Sequence, residues 1–219
     1  MACSLDAILK YDSVESLYCV YNELVALRLA QTIHMPVADG VLTSMGSQEA
    51  YASIELAAPG LRLPDLLPTQ YANAAKAYKD GSAALTVFDI FIGNWDRGSN
   101  IKASFVTPHV RIFQGFDHEH ALLGVESDPL DSIKSLDSMD LIVTGHPFYG
   151  HSDLIKMSKW YERIKEIDDA LIRECCVLGR PLGAVTTDMQ NGLAVALCNR
   201  KNYLHGIVVK NMSTIYAWK

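Results

Sequence analysis

Residues 93–100 read GNWDRGSN, and residues 115–120 read GFDHEH. Each stretch places a carboxylate in a short polar segment, Asp96 in the first and Asp117 in the second. Two runs of alternating polarity lie between them and predict the strands of a β-hairpin, residues 101–106 and 110–116. Because the return strand of a hairpin ends beside the start of the first strand, we expect Asp96, Asn100 and Asp117 to converge at one end of the sheet.

Three such side chains suit phosphoryl transfer. Mg²⁺ prefers oxygen ligands, and a hydroxyl nucleophile needs a carboxylate that orients it and accepts its proton. An Asn and one Asp can hold the metal, while the other Asp serves the nucleophile. Each residue alone has an ordinary alternative, because Asp and Asn commonly form turns and caps. The pairing of the two loops is what favours a site.

A second pair of residues lies upstream. Residues 7–11 predict a short strand that carries Lys10, and residues 16–34 have the apolar spacing of a helix that carries Glu23. A lysine braced by a helix carboxylate can hold nucleotide phosphates, because the ion pair fixes a flexible cation where charge must be neutralised. Taken singly, Lys and Glu are common surface residues.

Composition narrows the function classes. The chain has 219 residues, of which 49% are hydrophobic and 20% charged, so we expect one globular domain. A net charge of -6 argues against a general nucleic-acid binder, and no apolar run is long enough to cross a membrane. No basic segment followed by an apolar stretch opens the chain, so we expect a cytoplasmic protein. The five cysteines form no C-x-x-C pair, which favours reduced structural thiols.

The rest of the chain predicts an α+β fold of two lobes. Residues 37–43 and 50–56 predict two further strands, and the proline-rich residues 59–68 predict the boundary between the lobes. Helical periodicity dominates the remainder, in residues 71–79, 82–92, 152–178 and 192–210. Gly93 is expected to end the second of these helices.

Four blocks resemble successive blocks of the HipA-like kinases, a branch of the protein-kinase-like superfamily related to phosphatidylinositol kinases: AILKYD, YNELVALRLAQTIHMPV, FDIFIGNWDRGSNI and FDHEHALLG. The resemblance covers most of the chain in order, and the Asn-x-Asp-Arg block with its downstream Asp is the specific part. The resemblance implies a single kinase-like domain with a reduced N-terminal lobe (residues 1–58), a hinge (59–70) and a mainly helical C-terminal lobe (71–219).

The resemblance also implies roles for the residues around the hairpin. Asp96 is similar to the catalytic aspartate of that family, and Asn100 and Asp117 are similar to its two metal ligands. Arg97, beside Asp96, can stabilise either its own loop or the charge that develops during transfer, and we favour the loop.

For the upstream pair, the resemblance implies that Lys10 is the nucleotide-binding lysine and that Glu23 is its helix partner. The implied cofactors are ATP and Mg²⁺. The implied activity is transfer of the γ-phosphate to a hydroxyl, that of a Ser or Thr in a protein substrate.

Two departures from the family pattern keep a second hypothesis open. Gly98 stands where the family has a His, and Asn100 follows Asp96 by four positions instead of five. The two strands and glycine-bearing turn that normally cover the ATP phosphates are absent before Lys10. The alternatives are a more open nucleotide cleft, a partner chain that completes the lobe, or an inactive pseudokinase that serves as a binding or regulatory module.

A third hypothesis, ranked lower, is a metal-dependent hydrolase. In the segment from Asp117 to His120, an extended backbone would point His118 and His120 to one face, as a zinc site requires. One further ligand would have to come from another histidine, His146, His151 or His109.

Overall fold

The computed structural model describes residues 6–54, 57–58, 61–104 and 112–216. The strands are β1 (Ala7–Lys10), β2 (Gly40–Met45), β3 (Gln48–Ile54), β4 (Ala57–Ala58), β5 (Leu61–Arg62), β6 (Ile101–Ala103) and β7 (Phe113–Gly115). The helices are α1 (Cys19–Thr32), α2 (Tyr71–Ala77), α3 (Lys79–Ile92), α4 (Pro129–Leu136), α5 (Leu154–Lys165), α6 (Asp169–Cys176), α7 (Thr187–Lys210) and α8 (Met212–Ile215). Short 3-10 helices cover Pro68–Gln70 and Leu122–Gly124.

The N-terminal part is a three-stranded antiparallel sheet in the order β1-β3-β2. Lys10 lies opposite Tyr51 of β3, so the sheet fixes the position of the lysine along β1. Strand β1 forms one edge of the sheet, and its Ile8 and Leu9 side chains are exposed.

Helix α1 is buried more completely than its predicted apolar stripe implied. Eleven of its residues are buried, including Asn22 and Glu23. It packs against β2 and β3, and also against α6 and the 3-10 helix Leu122–Gly124. The two polar side chains therefore have to find partners inside the protein.

Helix α3 is the centre of the helical part, and it is buried all round as its sequence predicts. It ends at Gly93, whose φ of 73° is in the left-handed region that favours glycine. A Cβ atom at Gly93 would lie 2.7 Å from Cγ2 of Val125, so the position is also closed to a side chain. This sharp end sends the chain directly into residues 94–100.

The hairpin is confirmed, with shorter described strands than predicted. Strands β6 and β7 pair antiparallel, with Ile101 opposite Gly115. The predicted turn falls in residues 105–111, which lie outside the described ranges. Residues 36–38 run beside the other edge of β7: Gly115 N–H donates to Pro36 O (2.9 Å) and Ala38 N–H donates to Gly115 O (2.8 Å). For this reason β2 begins at Gly40, three residues later than predicted.

The α+β fold of a small sheet followed by a mainly helical part is thus confirmed. Residues 152–178 form two helices, because Asp168 caps a new helix by accepting from Ala170 N–H. Helix α4 was not predicted. Within the described ranges no helix has the length and apolarity needed to cross a membrane. The exact lobe limits at residues 58 and 71 stay a prediction.

Candidate active site

Of the three residues expected to converge, the hairpin brings Asn100 and Asp117 to the same end of the sheet, whereas Asp96 lines a cavity that the other two do not line. Phe116 N–H donates to the carbonyl oxygen of Asn100 (3.1 Å), and Asp117 follows directly. The side-chain amide nitrogen of Asn100 donates to the backbone oxygen of Asp96 (2.7 Å), which closes the four-residue loop. This bond engages the amide nitrogen of Asn100 and not its amide oxygen, which is the atom that a metal ion needs.

Arg97 connects both loops to α3. Its guanidinium makes two bonds to the Asp89 carboxylate, Nε to Oδ2 at 2.8 Å and Nη2 to Oδ1 at 2.9 Å. Its Nη1 donates to the backbone oxygens of Asn100 (3.0 Å) and Phe116. The residue is 1% exposed, so the guanidinium contacts the protein and not an incoming phosphate. This position fits the loop-stabilising role that we favoured.

Asp89 is the buried anion that holds this arrangement. Besides Arg97, it accepts from Asn94 Nδ2 (3.1 Å) and lies 3.1 Å from His146 Nε2. Burial alone would raise the pKa of Asp89, but the charge and hydrogen bonds of Arg97, together with the hydrogen bond of His146, lower it below the usual value. The sequence showed Asp89 as a charge within an apolar helix but gave no sign of its partner His146.

Lys10 joins the N-terminal sheet to the hairpin. Its Nζ lies 2.6 Å from Oε1 of Glu23 and 2.7 Å from Oδ1 of Asp117. Burial alone would lower the pKa of Lys10, but the charges of the two carboxylates outweigh burial and raise it. The predicted pairing of Lys10 with Glu23 is present, and the same ammonium group also reaches the predicted metal ligand.

Asp117 has a backbone φ of 61°, which is uncommon outside glycine. Such a conformation persists where neighbours hold it. Here Lys10 holds the side chain, and the next residue, His118, donates its backbone N–H to Glu23 Oε1 (2.9 Å). Burial alone would raise the pKa of Glu23, but His118 and Lys10 lower it to about 2, so the carboxylate stays charged.

In the described part of the chain, three cavities border these loops, and one of them, of about 320 Å³, is lined by Trp95, Glu119 and His120 among others. The other two lie nearer the predicted site residues. One of about 150 Å³ lies between the sheet and the hairpin and is lined by Ile8, Ser53, Ile54 and Phe116 among others. A second of about 480 Å³ is lined by Asp96 and Gly98, with walls from Tyr71, Trp95, Tyr149 and His151. A Cβ atom at Gly98 would meet nothing within 4 Å, so the loop is open at the position where the related family has a His.

Among the described residues, the histidines are not gathered as the zinc site of the third hypothesis requires. The segment that carries them is not extended: the His118 ring lies against Glu23, whereas the His120 ring packs on Trp95 at 4.7 Å between centroids. His146 uses Nε2 for Asp89 and accepts from Phe148 N–H at Nδ1. The described residues contain no group of three or more His, Cys, Asp or Glu side chains that could hold a metal ion. His109 lies outside the described ranges.

Comparison with solved structures identifies the fold. No protein-family model matches the sequence, and no curated protein sequence matches it. Among solved structures, the chain is similar to HipA of Shewanella oneidensis MR-1, in a complex of the toxin–antitoxin system HipA and HipB with operator DNA. The TM-score is 0.64 at 16% identity, over 97% of this chain and 61% of that chain.

The chain is also similar to CtkA, a proinflammatory kinase of Helicobacter pylori, with a TM-score of 0.66 at 14% identity over 93% of this chain and 88% of that chain. The 219-residue chain therefore has the HipA-like kinase fold. At these identities the likeness concerns the fold, and the chain spans about three fifths of the HipA chain. In this chain Lys10, Glu23 and Asp117 lie together where strand β1, helix α1 and the end of the hairpin meet.

Proposed function

We propose that this chain is a HipA-like kinase that uses ATP and Mg²⁺ and transfers the γ-phosphate to a hydroxyl, that of a Ser or Thr in a protein. The observation that carries the proposal is the position of Lys10 Nζ, which lies 2.6 Å from Glu23 and 2.7 Å from Asp117. A cation braced by a helix carboxylate and adjacent to a metal-binding carboxylate is what phosphate binding in kinases requires.

We assign the nucleotide base to the cavity of about 150 Å³. Its walls include Ile8, two residues before Lys10 on β1, and Phe116, directly before Asp117. A base between these apolar side chains would direct its phosphates towards Lys10 and Asp117. The cavity and the charged cluster are therefore neighbours in the order that a nucleoside triphosphate needs.

The residues present fit Mg²⁺. Asn100 and Asp117 offer an amide oxygen and carboxylate oxygens, the hard donors that Mg²⁺ prefers. Two protein ligands suffice where phosphates and water complete the shell, which is the usual pattern for this ion in kinases. When bound, Mg²⁺ would neutralise charge on the phosphates.

The chain's own residues divide the remaining work. Lys10, fixed by Glu23, would hold the phosphates. Asp96, which lines the cavity of about 480 Å³, would orient an acceptor hydroxyl placed there and accept its proton. Arg97 would keep the catalytic loop and the Asp117 segment in register through the carbonyls of Asn100 and Phe116.

The test is transfer of labelled phosphate from ATP with magnesium, with the purified chain alone and with a host lysate. We expect label on the chain itself or on a lysate protein, and a fall of about 10²- to 10⁴-fold on replacing Asp96→Asn, with ATP binding retained. An unimpaired Asp96→Asn variant would contradict the role of Asp96. Nucleotide binding that ignores both magnesium and Asp117→Asn would favour the pseudokinase.

A partner chain that completes the N-terminal lobe is part of the proposal. Strand β1 is a sheet edge with Ile8 51% and Leu9 43% exposed, and such an edge can accept a further strand. We also keep a cytoplasmic location, because the four cysteines in the described ranges are free and buried.

A further inference from the structure

Helix α1 presents two adjacent buried polar residues, Asn22 and Glu23, to the segment that follows Asp117. Asn22 is 0% exposed and Glu23 is 3% exposed. Buried polar groups need hydrogen-bond partners. Both residues find theirs in residues 117–123, so the helix fixes the backbone path of this segment.

Asn22 holds the far part of the segment. Its Nδ2 donates to the backbone oxygen of Glu119 (2.8 Å), and its Oδ1 accepts from the backbone N–H of Leu123 (3.3 Å). Leu123 belongs to a 3-10 helix that packs on α1. One amide thus bridges two points of the segment that are four residues apart.

Glu23 holds the part of the segment next to Asp117, and its two carboxylate oxygens contact different partners. Oε1 accepts from Lys10 Nζ (2.6 Å) and from the backbone N–H of His118 (2.9 Å). Oε2 faces Nδ1 of the His118 ring at 3.3 Å. Because a carboxylate only accepts, Nδ1 is the ring nitrogen that carries a hydrogen here.

The His118 ring is itself fixed in place. It is 3% exposed, and it packs edge-on against Phe88 of α3 with 6.3 Å between ring centroids. Nε2 is buried and has no hydrogen-bond partner among the described residues, so Glu23 is the one polar contact of the ring there. Because the His118 ring packs against α3, its Nδ1–H can hold the Glu23 carboxylate in one orientation.

We propose that His118 is a positioning residue: its ring locks the Glu23 carboxylate so that Lys10 is held for the nucleotide phosphates. This role rests on the proposed kinase function. A carboxylate bound only through Oε1 could rotate about its terminal bond and carry Lys10 with it. The bond from Nδ1 to Oε2 removes that freedom. The lock comes from contacts of the ring with Glu23 of α1 and Phe88 of α3.

Nucleotide affinity tests the role, with Mg·ATP and adenosine as two probes of each variant. Adenosine has no phosphates and does not use Lys10. His118→Leu keeps an apolar side chain but loses the donor, and we expect Mg·ATP affinity to fall about tenfold while adenosine affinity stays within about twofold. His118→Asn restores a donor near the position of Nδ1, and we expect it to recover most of the Mg·ATP affinity.

His120→Leu is the matched control, because His120 lies two residues further on and packs on the half-exposed Trp95. We expect it to leave both affinities unchanged. A His118→Leu variant that weakens both probes equally would show a merely structural role and overturn the proposal, as would unchanged affinities. A wild-type chain that binds neither probe would refute the kinase function, and the positioning role with it.

Discussion

Two charged clusters lie on either side of the hairpin end, and they differ in access to solvent. The cluster that we propose for phosphate binding, here the phosphate-side cluster, consists of Lys10, Glu23 and Asp117, whose side chains are 15%, 3% and 26% exposed. The buried cluster consists of Asp89, Arg97 and His146, whose side chains are 0% exposed.

The difference separates the groups that can exchange partners from those that cannot. Under the proposed function, we expect a metal ion or phosphate to compete for Lys10 and Asp117, because both side chains are partly exposed. The buried cluster has no such access, and removing one of its members leaves an uncompensated charge in the interior. We therefore expect the buried cluster to determine stability and the phosphate-side cluster to determine binding.

The largest expected effect is on the buried cluster. Replacing Asp89→Ala should lower the free energy of unfolding by about 3–5 kcal/mol, because the Arg97 charge loses its buried partner. Asp96→Ala, seven residues along and on the cavity wall, should cost less than about 1 kcal/mol. Urea unfolding of both variants provides the measurement. Equal losses would remove the distinction between the clusters.

Lys10→Met tests the phosphate-side cluster. It should weaken Mg·ATP binding by about 10- to 100-fold, since a charge-assisted contact to the phosphates is lost. It should destabilise the fold less than Asp89→Ala does. Titration calorimetry measures the affinity for Mg·ATP. The control is Lys134→Met, because Lys134 is exposed and pairs with Asp131. Full affinity in Lys10→Met would mean that the nucleotide binds elsewhere.

Two glycines of one loop sharpen the comparison further. Gly93→Ala should cost about 1–3 kcal/mol of unfolding free energy, because φ is 73° and the new Cβ would meet Val125 at 2.7 Å. Gly98→Ala should change stability by less than about 0.5 kcal/mol, since nothing lies within 4 Å. Thermal or urea unfolding of the two variants measures both changes in unfolding free energy. A costly Gly98→Ala would show that the open side of the loop is packed.

The smallest effect concerns pH. Burial lowers the pKa of His146 below its usual 6.5, although Asp89 opposes the shift and Arg97 adds to it. The unfolded chain then binds a proton that the folded chain does not, so this contribution to stability is complete above pH 6.5 and is lost as pH falls below it. The slope is at most about 1.4 kcal/mol per pH unit.

His146→Gln should lack this part of the pH dependence. The measurement is the unfolding free energy of both chains at several pH values on either side of 6.5. Thr86 Oγ1 and the Asp89 carboxylate face the ring, and neither titrates in that window. Parallel pH profiles for the two chains would contradict the assignment to His146.

Local patterns predicted much of the fold. The spacing of apolar residues located α1, Gly93 marked the end of α3, and alternating polarity located the hairpin. These features depend on neighbours within a few residues, which the sequence shows directly. The pairing of Lys10 with Glu23 was predicted from a lysine on the first strand and a carboxylate on the following helix, and the family resemblance implied the same pair.

The missing parts depend on partners far along the chain. Asp89 was visible as a charge in an apolar helix, but its contact with His146 spans 57 positions. The second contact of Lys10, to Asp117, arises where the edge strand of the sheet meets the hairpin. The role of the His118 ring depends on the depth at which α1 is buried. Spacing along the sequence carries none of these three facts.

The bonds of Arg97 to the backbone of Asn100 and Phe116 have a mechanical consequence. The loop of residues 94–100 and the segment that leads into Asp117 are both bonded to one guanidinium, which itself binds Asp89 of α3. We therefore expect the positions of Asn100 and Asp117 relative to each other to depend on this one guanidinium.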